Sequence, residues 1–357
     1  METAVKDMET TCVSSAPGNT GMEGSLIQAA ESRLGAGAAS ATVFTWEPIA
    51  RGGSEREFYR VRHSHGESRV VMCYSDVREE NRLYPAIASF LRNMGLRVPQ
   101  ILFHDPDLRL IGLEDLGDES LYVLFHQQQA DRGALESLYR SALGQLRVLH
   151  QHTSAPVRTM PGFDENLYHW ERDYFLENLV QRWAGIRLSE AEQNQIQTEG
   201  RRMAADLLSD PLCLIHRDFQ SQNLMVRNQA VWLIDFQGMR PGHAAYDLAS
   251  LLYDPYVTLD DSQRTSLLDD YIKNHPGTVP LSGTEKNFKS HFYRAAVQRL
   301  MQALGAYSFL GLVKGKSAFL QYIPQGLKNL QDALKHLNGM DRTLNLTHTC
   351  IQKRKED

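Results

Sequence analysis

The sequence predicts an α+β fold in two lobes, a small antiparallel sheet followed by a larger helical lobe. Three observations carry this expectation. From Val43 to Leu116, short runs rich in β-branched and aromatic residues alternate with turn residues, the pattern of hairpin-linked strands. Beyond Gly117, apolar residues recur at three- and four-residue spacing, as one buried helix face requires. The chain has 357 residues, 42% of them hydrophobic, which is more than one simple layer needs and favours two lobes.

Residues 1–40 are rich in Ser, Thr, Gly and Ala without a sustained period, and read as a disordered N-terminal tail with a short helix near Ser25–Leu34. The sheet lobe covers residues 41–116. Within it "TVFTWEPIA", "EFYRVRH" and "RVVMCY" read as three strands, joined by the glycine turn "RGGS" and the hairpin turn "SHGES". "DVREENRLYPAIASFLRNMG" reads as a helix with Asp76 as N-cap, Gly95 as its stop and Pro85 as a kink. "VPQILFHD" and "RLIGLEDLG" close the sheet as two further strands. The helical lobe covers residues 117–345. It opens on a helix that carries Leu135, Leu138, Tyr139, Ala142, Leu146 and Leu149 on one face. A charged amphipathic helix follows over 170–183, and others over 247–252, 262–273, 286–312 and 323–337. Two strand-like stretches, "LIHRDFQSQNLMV" and "VWLIDFQG", interrupt the helices. Residues 346–357, ending "CIQKRKED", read as a charged, solvated tail.

Composition removes several function classes. A net charge of -5 provides no basic field for nucleic acid. The four cysteines form no C-x-x-C pair, which argues against structural zinc and a disulfide framework and fits a reducing cytoplasm. No run of eighteen apolar residues suggests a membrane span, and the N-terminal text lacks the apolar core of a secretory signal.

The two interrupting stretches each set an Asp in an apolar context, seventeen positions apart. An Asp beyond a buried strand can simply cap a turn. The combination argues for chemistry. Phosphoryl transfer needs positioned reactants, magnesium to neutralise the phosphates, and a carboxylate to orient the attacking hydroxyl. The first stretch carries H-R-D and then an Asn: His216, Arg217, Asp218 and Asn223. Asp218 is the candidate catalytic carboxylate. Asn223 and Asp235 are the candidate Mg2+ ligands, since hard cations prefer oxygen donors.

These residues resemble the catalytic and metal loops of the protein-kinase-like superfamily, in particular its aminoglycoside and choline phosphotransferase branch. The longer text "HRDFQSQNLMV…VWLIDFQGMRPGHAAYDLASLLYDPYV" is similar to the bacterial anomeric sugar kinases that phosphorylate N-acetylmuramate and N-acetylglucosamine at C1. So is "QRLMQALGAYSFLGLVKGKSAFLQYIP" near the C-terminus. The likeness runs from about Glu47 to Leu330. It implies an ATP- and Mg2+-dependent sugar kinase of bilobal kinase-like fold, acting on an amino sugar in cell-wall salvage. A protein kinase would carry a long activation segment and A-P-E after its D-F-G. Here Gln237 replaces that glycine and "AYDLASLL" follows closely, so a small acceptor is expected. Asp247 in that segment is expected to anchor its helix and brace the loop around Asp218.

Within this likeness the nucleotide end falls on the sheet lobe. Gly52 and Gly53 lack Cβ, so their amides approach phosphate oxygens, and Ser54 adds a hydroxyl. Read alone, two glycines between strands make a plain hairpin; the downstream motifs turn the reading toward phosphate. The third strand, "RVVMCYSD", has no Lys to pair with the phosphates, a departure shared with the sugar kinases it resembles. Arg56, Arg60 and Arg62 are candidate cations, with Glu79 or Glu80 as a partner; the bland alternative is a solvated arginine. Backbone groups from Glu114 to Leu116 are expected to meet the adenine edge.

At the acceptor end a sugar needs polar groups and an aromatic face. Tyr168, Trp170, Glu171 and Arg172 are candidates, as are Gln298 and Arg299. Trp170 reads either as core or as sugar platform. Arg299 sits on an otherwise apolar helix and needs a partner, either a lactyl carboxylate of substrate or an acidic neighbour. His150 and His152 read as ordinary polar groups ending a helix.

Overall fold

The structure, a computed structural model, describes residues 22–35, 44–49, 56–64, 66–127, 131–275 and 284–353. The expected phosphate turn of Gly52, Gly53 and Ser54 lies outside them. The chain divides into two compact units, Met1–Arg82 with Pro99–Asp115, and Leu83–Val98 with Leu116–Asp357. The expected sheet lobe of 41–116 is thereby corrected in one respect: most of the helix that follows its third strand groups with the helical unit.

The first unit is a five-stranded antiparallel sheet in the order β1-β2-β3-β5-β4. Its strands are β1 (Phe44–Ile49), β2 (Glu57–His63), β3 (Ser68–Cys73), β4 (Ile101–Asp105) and β5 (Leu110–Glu114). Successive side chains point to opposite faces. One face carries Val61, Val71 and Leu110, which pack with Ala30 and, around them, Leu26, Leu34, Phe44, Trp46 and Phe103. Gly112 makes room for the Phe103 ring, since a Cβ there would lie 2.3 Å from a ring carbon.

Ala30, Leu26 and Leu34 belong to α1 (Gly24–Leu34), the short helix expected near Ser25–Leu34 within the N-terminal tail. Its apolar face is buried on the sheet, and two polar contacts fix it. Trp46 Nε1 donates to Glu31 Oε1 at 2.9 Å, and Arg33 pairs with Asp105. The short helix expected near Ser25–Leu34 therefore forms, and tertiary burial against the sheet holds it in place.

Helix α2 (Glu80–Asn93) starts later than Asp76, which instead binds Arg82 at 2.8 Å. Pro85 is accommodated inside it, and Gly95 follows at φ 81°. In the helical unit, α3 (Leu121–His126) and α4 (Arg132–Leu149) come first. Next, α5 (Glu165–Phe175) runs directly into a π-helical segment, Leu176–Trp183. Helix α6 (Glu190–Leu208), which the apolar pattern does not announce, begins at a capping box between Ser189 and Glu192. Helices α7 (Ala245–Leu252), α8 (Asp261–Lys273), α9 (Glu285–Leu312) and α10 (Ile323–Lys335) fall close to their expected places. The expected solvated tail is corrected over α11 (Asp341–Lys353), where Leu346, Thr347 and Cys350 are buried.

The two strand-like stretches form short antiparallel pairs. Strand β6 (Cys213–Ile215) pairs with β9 (Arg240–Gly242), and β7 (Leu224–Arg227) with β8 (Ala230–Leu233). Asn228 and Gln229 link the second pair, both with positive φ, as a tight primed turn requires.

Candidate active site

Strand β6 is wholly buried and delivers the chain to His216. There Asp247 of α7, itself 0% exposed, takes over the backbone. Its Oδ2 accepts from the His216 amide at 2.7 Å and its Oδ1 from the Arg217 amide at 2.8 Å. Oδ2 also meets His150 Nε2 at 3.1 Å, while His150 Nδ1 lies 2.7 Å from the Tyr271 hydroxyl. His150 is thus fully buried inside the brace, which corrects its reading as an ordinary helix-end group.

His216 Nε2 lies 3.1 Å from the carbonyl of Ile234, so that nitrogen carries the hydrogen. The bond ties the first loop to the residue before Asp235. A second acid, Asp254, is 2% exposed and accepts from the Ser221 amide at 2.7 Å and the Tyr256 amide at 3.0 Å. Burial pushes its carboxyl above the usual range, and the bonds from Ser221 oppose this.

Between these braces stands Asp218. Its backbone carbonyl accepts from Asn223 Nδ2 at 2.9 Å and from the Gln220 amide at 2.9 Å. Its carboxylate is flanked by two guanidiniums. Arg299 Nη2 lies 3.4 Å from Oδ1, and Arg217 Nη1 lies 3.6 Å from Oδ2.

The β7–β8 register sets Asn223 and Asp235 at one end of the same hairpin, where the Ile234 amide donates to the Asn223 carbonyl at 3.1 Å. Asp235 adopts φ 64°, a left-handed turn that redirects the chain out of β8. Its Oδ1 accepts from Gln237 Nε2 at 2.8 Å. With its amide nitrogen spent on Asp218, Asn223 offers its amide oxygen. That oxygen and the Asp235 carboxylate are hard donors of the kind Mg2+ takes, so the residues present fit the ion.

Other expected residues lie elsewhere. Arg172 is 1% exposed, with Nε 3.4 Å from Gln197 Oε1 and its side chain packed over Gly200 of α6. Burial pushes its pKa down. Trp170 is 50% exposed and stacks on Tyr174 at 5.1 Å. Neither belongs to the hydrogen-bonded set around Asp218 among the described residues. Glu171, by contrast, is 0% exposed and accepts from the Tyr246 hydroxyl and from Gln298 Nε2, each at 2.9 Å. Burial pushes its carboxyl up, opposed by Gln298, Arg217, Tyr246 and Arg299.

In the sheet unit, Arg60 is 7% exposed and forks onto Asp115, with Nε 2.7 Å from Oδ2 and Nη2 3.0 Å from Oδ1. Its register partner on β3 is Val70, so it shares a face with the strand that lacks a Lys. Arg62 pairs with Glu47 on the surface at 3.4 Å. Glu80 lies 3.6 Å from Arg78. The Glu114 amide donates to the Gln100 carbonyl at 2.9 Å, and Leu116 is buried.

One further cluster joins Asp210, His243 and His291. The Ala245 amide donates to His243 Nδ1 at 3.1 Å, so His243 Nε2 holds the hydrogen given to Asp210 at 3.0 Å. That leaves this ring no lone pair for a metal, and the cluster is a hydrogen-bonded brace. The residues that sequence reasoning missed, Asp254 and Gln220, had a signal in the case of Asp254: an acid inside the apolar run "LASLLYDPYV".

The model of the phosphotransferase enzyme family, APH, matches residues 45–281. The chain belongs to the phosphotransferase enzyme family. This phosphotransferase is 27% identical over 277 residues to an N-acetylmuramate/N-acetylglucosamine kinase of Neisseria meningitidis, across 77% of this chain and 81% of that protein. Its fold is similar to a choline/ethanolamine kinase family protein from Mesorhizobium loti (TM-score 0.58, 14% identity), which covers 90% of this chain and 99% of its own. It is also similar to an ADP-bound aminoglycoside phosphotransferase (TM-score 0.52, 13% identity, 88% of this chain and 100% of that one). The phosphotransferase is therefore an enzyme of kinase type and of protein-kinase-like fold, an antiparallel-sheet unit with a larger helical unit. Among its described residues no helix is long and apolar enough to cross a membrane.

Proposed function

We propose that this phosphotransferase moves the γ-phosphoryl group of ATP to the anomeric hydroxyl of N-acetylmuramate or N-acetylglucosamine, in the cytoplasm. The observation that carries the reading is the pairing of Asp218 with the Asn223–Asp235 hairpin end in a chain whose Neisseria relative bears that kinase name. Magnesium, when bound, neutralises phosphate charge. Asn223 and Asp235 would hold it.

The chain's own residues do the rest. Asp218 orients the C1 hydroxyl and accepts its proton as the hydroxyl oxygen bonds to the γ-phosphorus. The bond from that phosphorus to the β–γ bridging oxygen breaks, and its electron pair leaves with ADP. Asp247 and Asp254 hold the loop on either side of Asp218 so that its carboxylate needs little reorganisation. On the nucleotide side the proposed contacts are Gly52, Gly53, Ser54, Arg60, Glu80, Glu114 and Leu116. Arg60 is proposed as the sheet cation in place of a third-strand Lys, held in a forked pair by Asp115. Trp170, on the surface, remains a proposed acceptor contact.

The test is ADP release from ATP and Mg2+ with the two amino sugars, choline and an aminoglycoside in parallel. Turnover restricted to the amino sugars supports the reading. Turnover on choline or the aminoglycoside alone overturns it.

A further inference from the structure

The sequence leaves two readings of Arg299, a grip on a substrate carboxylate or a structural ion pair. The geometry points to a third: we infer that Arg299 is a positioning residue that aims the carboxylate of Asp218, an inference that rests on Asp218 being the proton acceptor.

Arg299 comes from the long helix α9, and its contacts span two other segments. Nε donates to Ser250 Oγ of α7 at 3.1 Å. Nη1 donates to Gln302, one turn along its own helix. Nη2 donates to Gln220 Oε1 at 3.0 Å and lies 3.4 Å from Asp218 Oδ1. A guanidinium has five N–H groups in a fixed fork, and these contacts use four of them. The one left cannot grip a carboxylate with two parallel bonds, which is the arrangement that makes arginine a good carboxylate reader. At 7% exposure the group also has little surface to offer a ligand.

What the fork does instead is join α9, α7 and the catalytic loop at one point. The Ser250 hydroxyl donates to the Tyr246 carbonyl at 2.9 Å and sits 3.3 Å from the Arg217 carbonyl. The neighbouring residue on α9, Gln298, bonds Glu171 at 2.9 Å and the Tyr168 carbonyl at 3.1 Å, which fixes the rotation of the helix beneath Arg299. The contact to Asp218 is longer than a strong hydrogen bond, so its force is charge more than direction. Direction comes from Gln220, two residues beyond Asp218 and closer to the same nitrogen. With Arg217 on the other carboxylate oxygen, the Asp218 side chain is held from both sides. Burial works against the charge on Arg299 and the Asp218 carboxylate supports it, and a guanidinium stays cationic in proteins.

The test uses Arg299→Met and Arg299→Lys, each assayed on N-acetylmuramate, which carries a carboxylate, and on N-acetylglucosamine, which does not. A misaimed base predicts that Arg299→Met loses kcat about 10- to 100-fold on both sugars alike, with KM for sugar and ATP changed by less than about 3-fold. Arg299→Lys, which keeps the charge without the fork, should recover part of that loss and covers the case in which the Met variant folds poorly. A rise in KM for N-acetylmuramate alone, with kcat kept, overturns the inference in favour of a carboxylate reader. If the wild-type enzyme turns over neither sugar, the substrate reading fails by itself, and the variants are then compared on the acceptor it does use. A crystal structure of Arg299→Met needs no acceptor: a displaced Asp218 side chain supports the inference, and an Asp218 carboxylate in its wild-type rotamer overturns it.

Discussion

Asp247 grips the backbone of Arg217: its Oδ1 accepts from the Arg217 amide at 2.8 Å, and Arg217 stands at φ 79°. A left-handed conformation costs a side-chain-bearing residue about 1–2 kcal/mol. The turn persists because a buried carboxylate collects the amides on both sides of the bend, those of His216 and Arg217. That bend is what presents Asp218 beyond the end of a buried strand.

Replacing Asp247 by Asn should therefore damage both stability and rate. The side-chain NH2 cannot accept, so at least one buried donor among His216, Arg217 and His150 loses its partner. A loss of about 3 kcal/mol in urea unfolding is expected, with kcat reduced by about 10-fold or more as the bend relaxes. An Asn variant with wild-type unfolding midpoint and kcat would contradict the brace.

Gly200 lies inside α6, where Ala would gain about 1 kcal/mol in helix propensity. Against this, a Cβ at Gly200 would lie 2.2 Å from Arg172 Nε, and Arg172 is 1% exposed. Overpacking of a buried site costs about 1–3 kcal/mol. The clash should win, and Gly200→Ala should lower the melting temperature while leaving KM for ATP unchanged. A raised melting temperature would show that Arg172 moves freely.

Burial, reinforced by His150 and Arg147, pushes the His275 pKa from 6.5 down to about 4. The unfolded chain then takes up a proton before the folded one does as pH falls. The stability this residue contributes is fully present above about pH 6.5 and is lost as pH falls toward about 4. Thermal melts between pH 7 and pH 4.5 should show a shallower decline in His275→Gln than in wild type. Parallel curves would remove His275 from the acid sensitivity.

Helix α11 takes its N-terminal cap from another helix. Glu199 of α6 accepts from the amides of Arg342 and Thr343, each at 2.9 Å. A cap and a favourable charge at a helix N-terminus together contribute about 1–2 kcal/mol. Glu199→Ala should speed amide hydrogen exchange across 341–353 and leave the loop around Asp218 protected. Unchanged exchange there would mean that packing alone holds the helix.

That cap also explains part of what the sequence concealed. Nothing in "DRTLNLTHTC" announces an acid on another helix, and threonines at 343 and 347 are buried without looking apolar. Helix α1 was legible as a short helix but its docking was masked, because five of its eleven residues are Gly, Ser or Ala and its face exists only against the sheet. The loop around Asp218 was legible for the opposite reason. His216, Arg217, Asp218 and Asn223 lie in one short stretch with Asp235 seventeen positions beyond Asp218, so local text carries their geometry. The role of Arg299 was not legible: the sequence shows an arginine on an apolar helix, and only the fold brings it to Asp218, 81 positions away.

The central claim is that Asp218 directs phosphate onto an anomeric hydroxyl. The most direct test incubates the enzyme with ATP, Mg2+ and N-acetylmuramate or N-acetylglucosamine, and reads the position of the product's phosphate by phosphorus NMR. A C1 phosphate is expected, with the Asp218→Ala variant slowed by about 100- to 10,000-fold while it still binds ATP. A phosphate at C6, or turnover that survives Asp218→Ala, would contradict it.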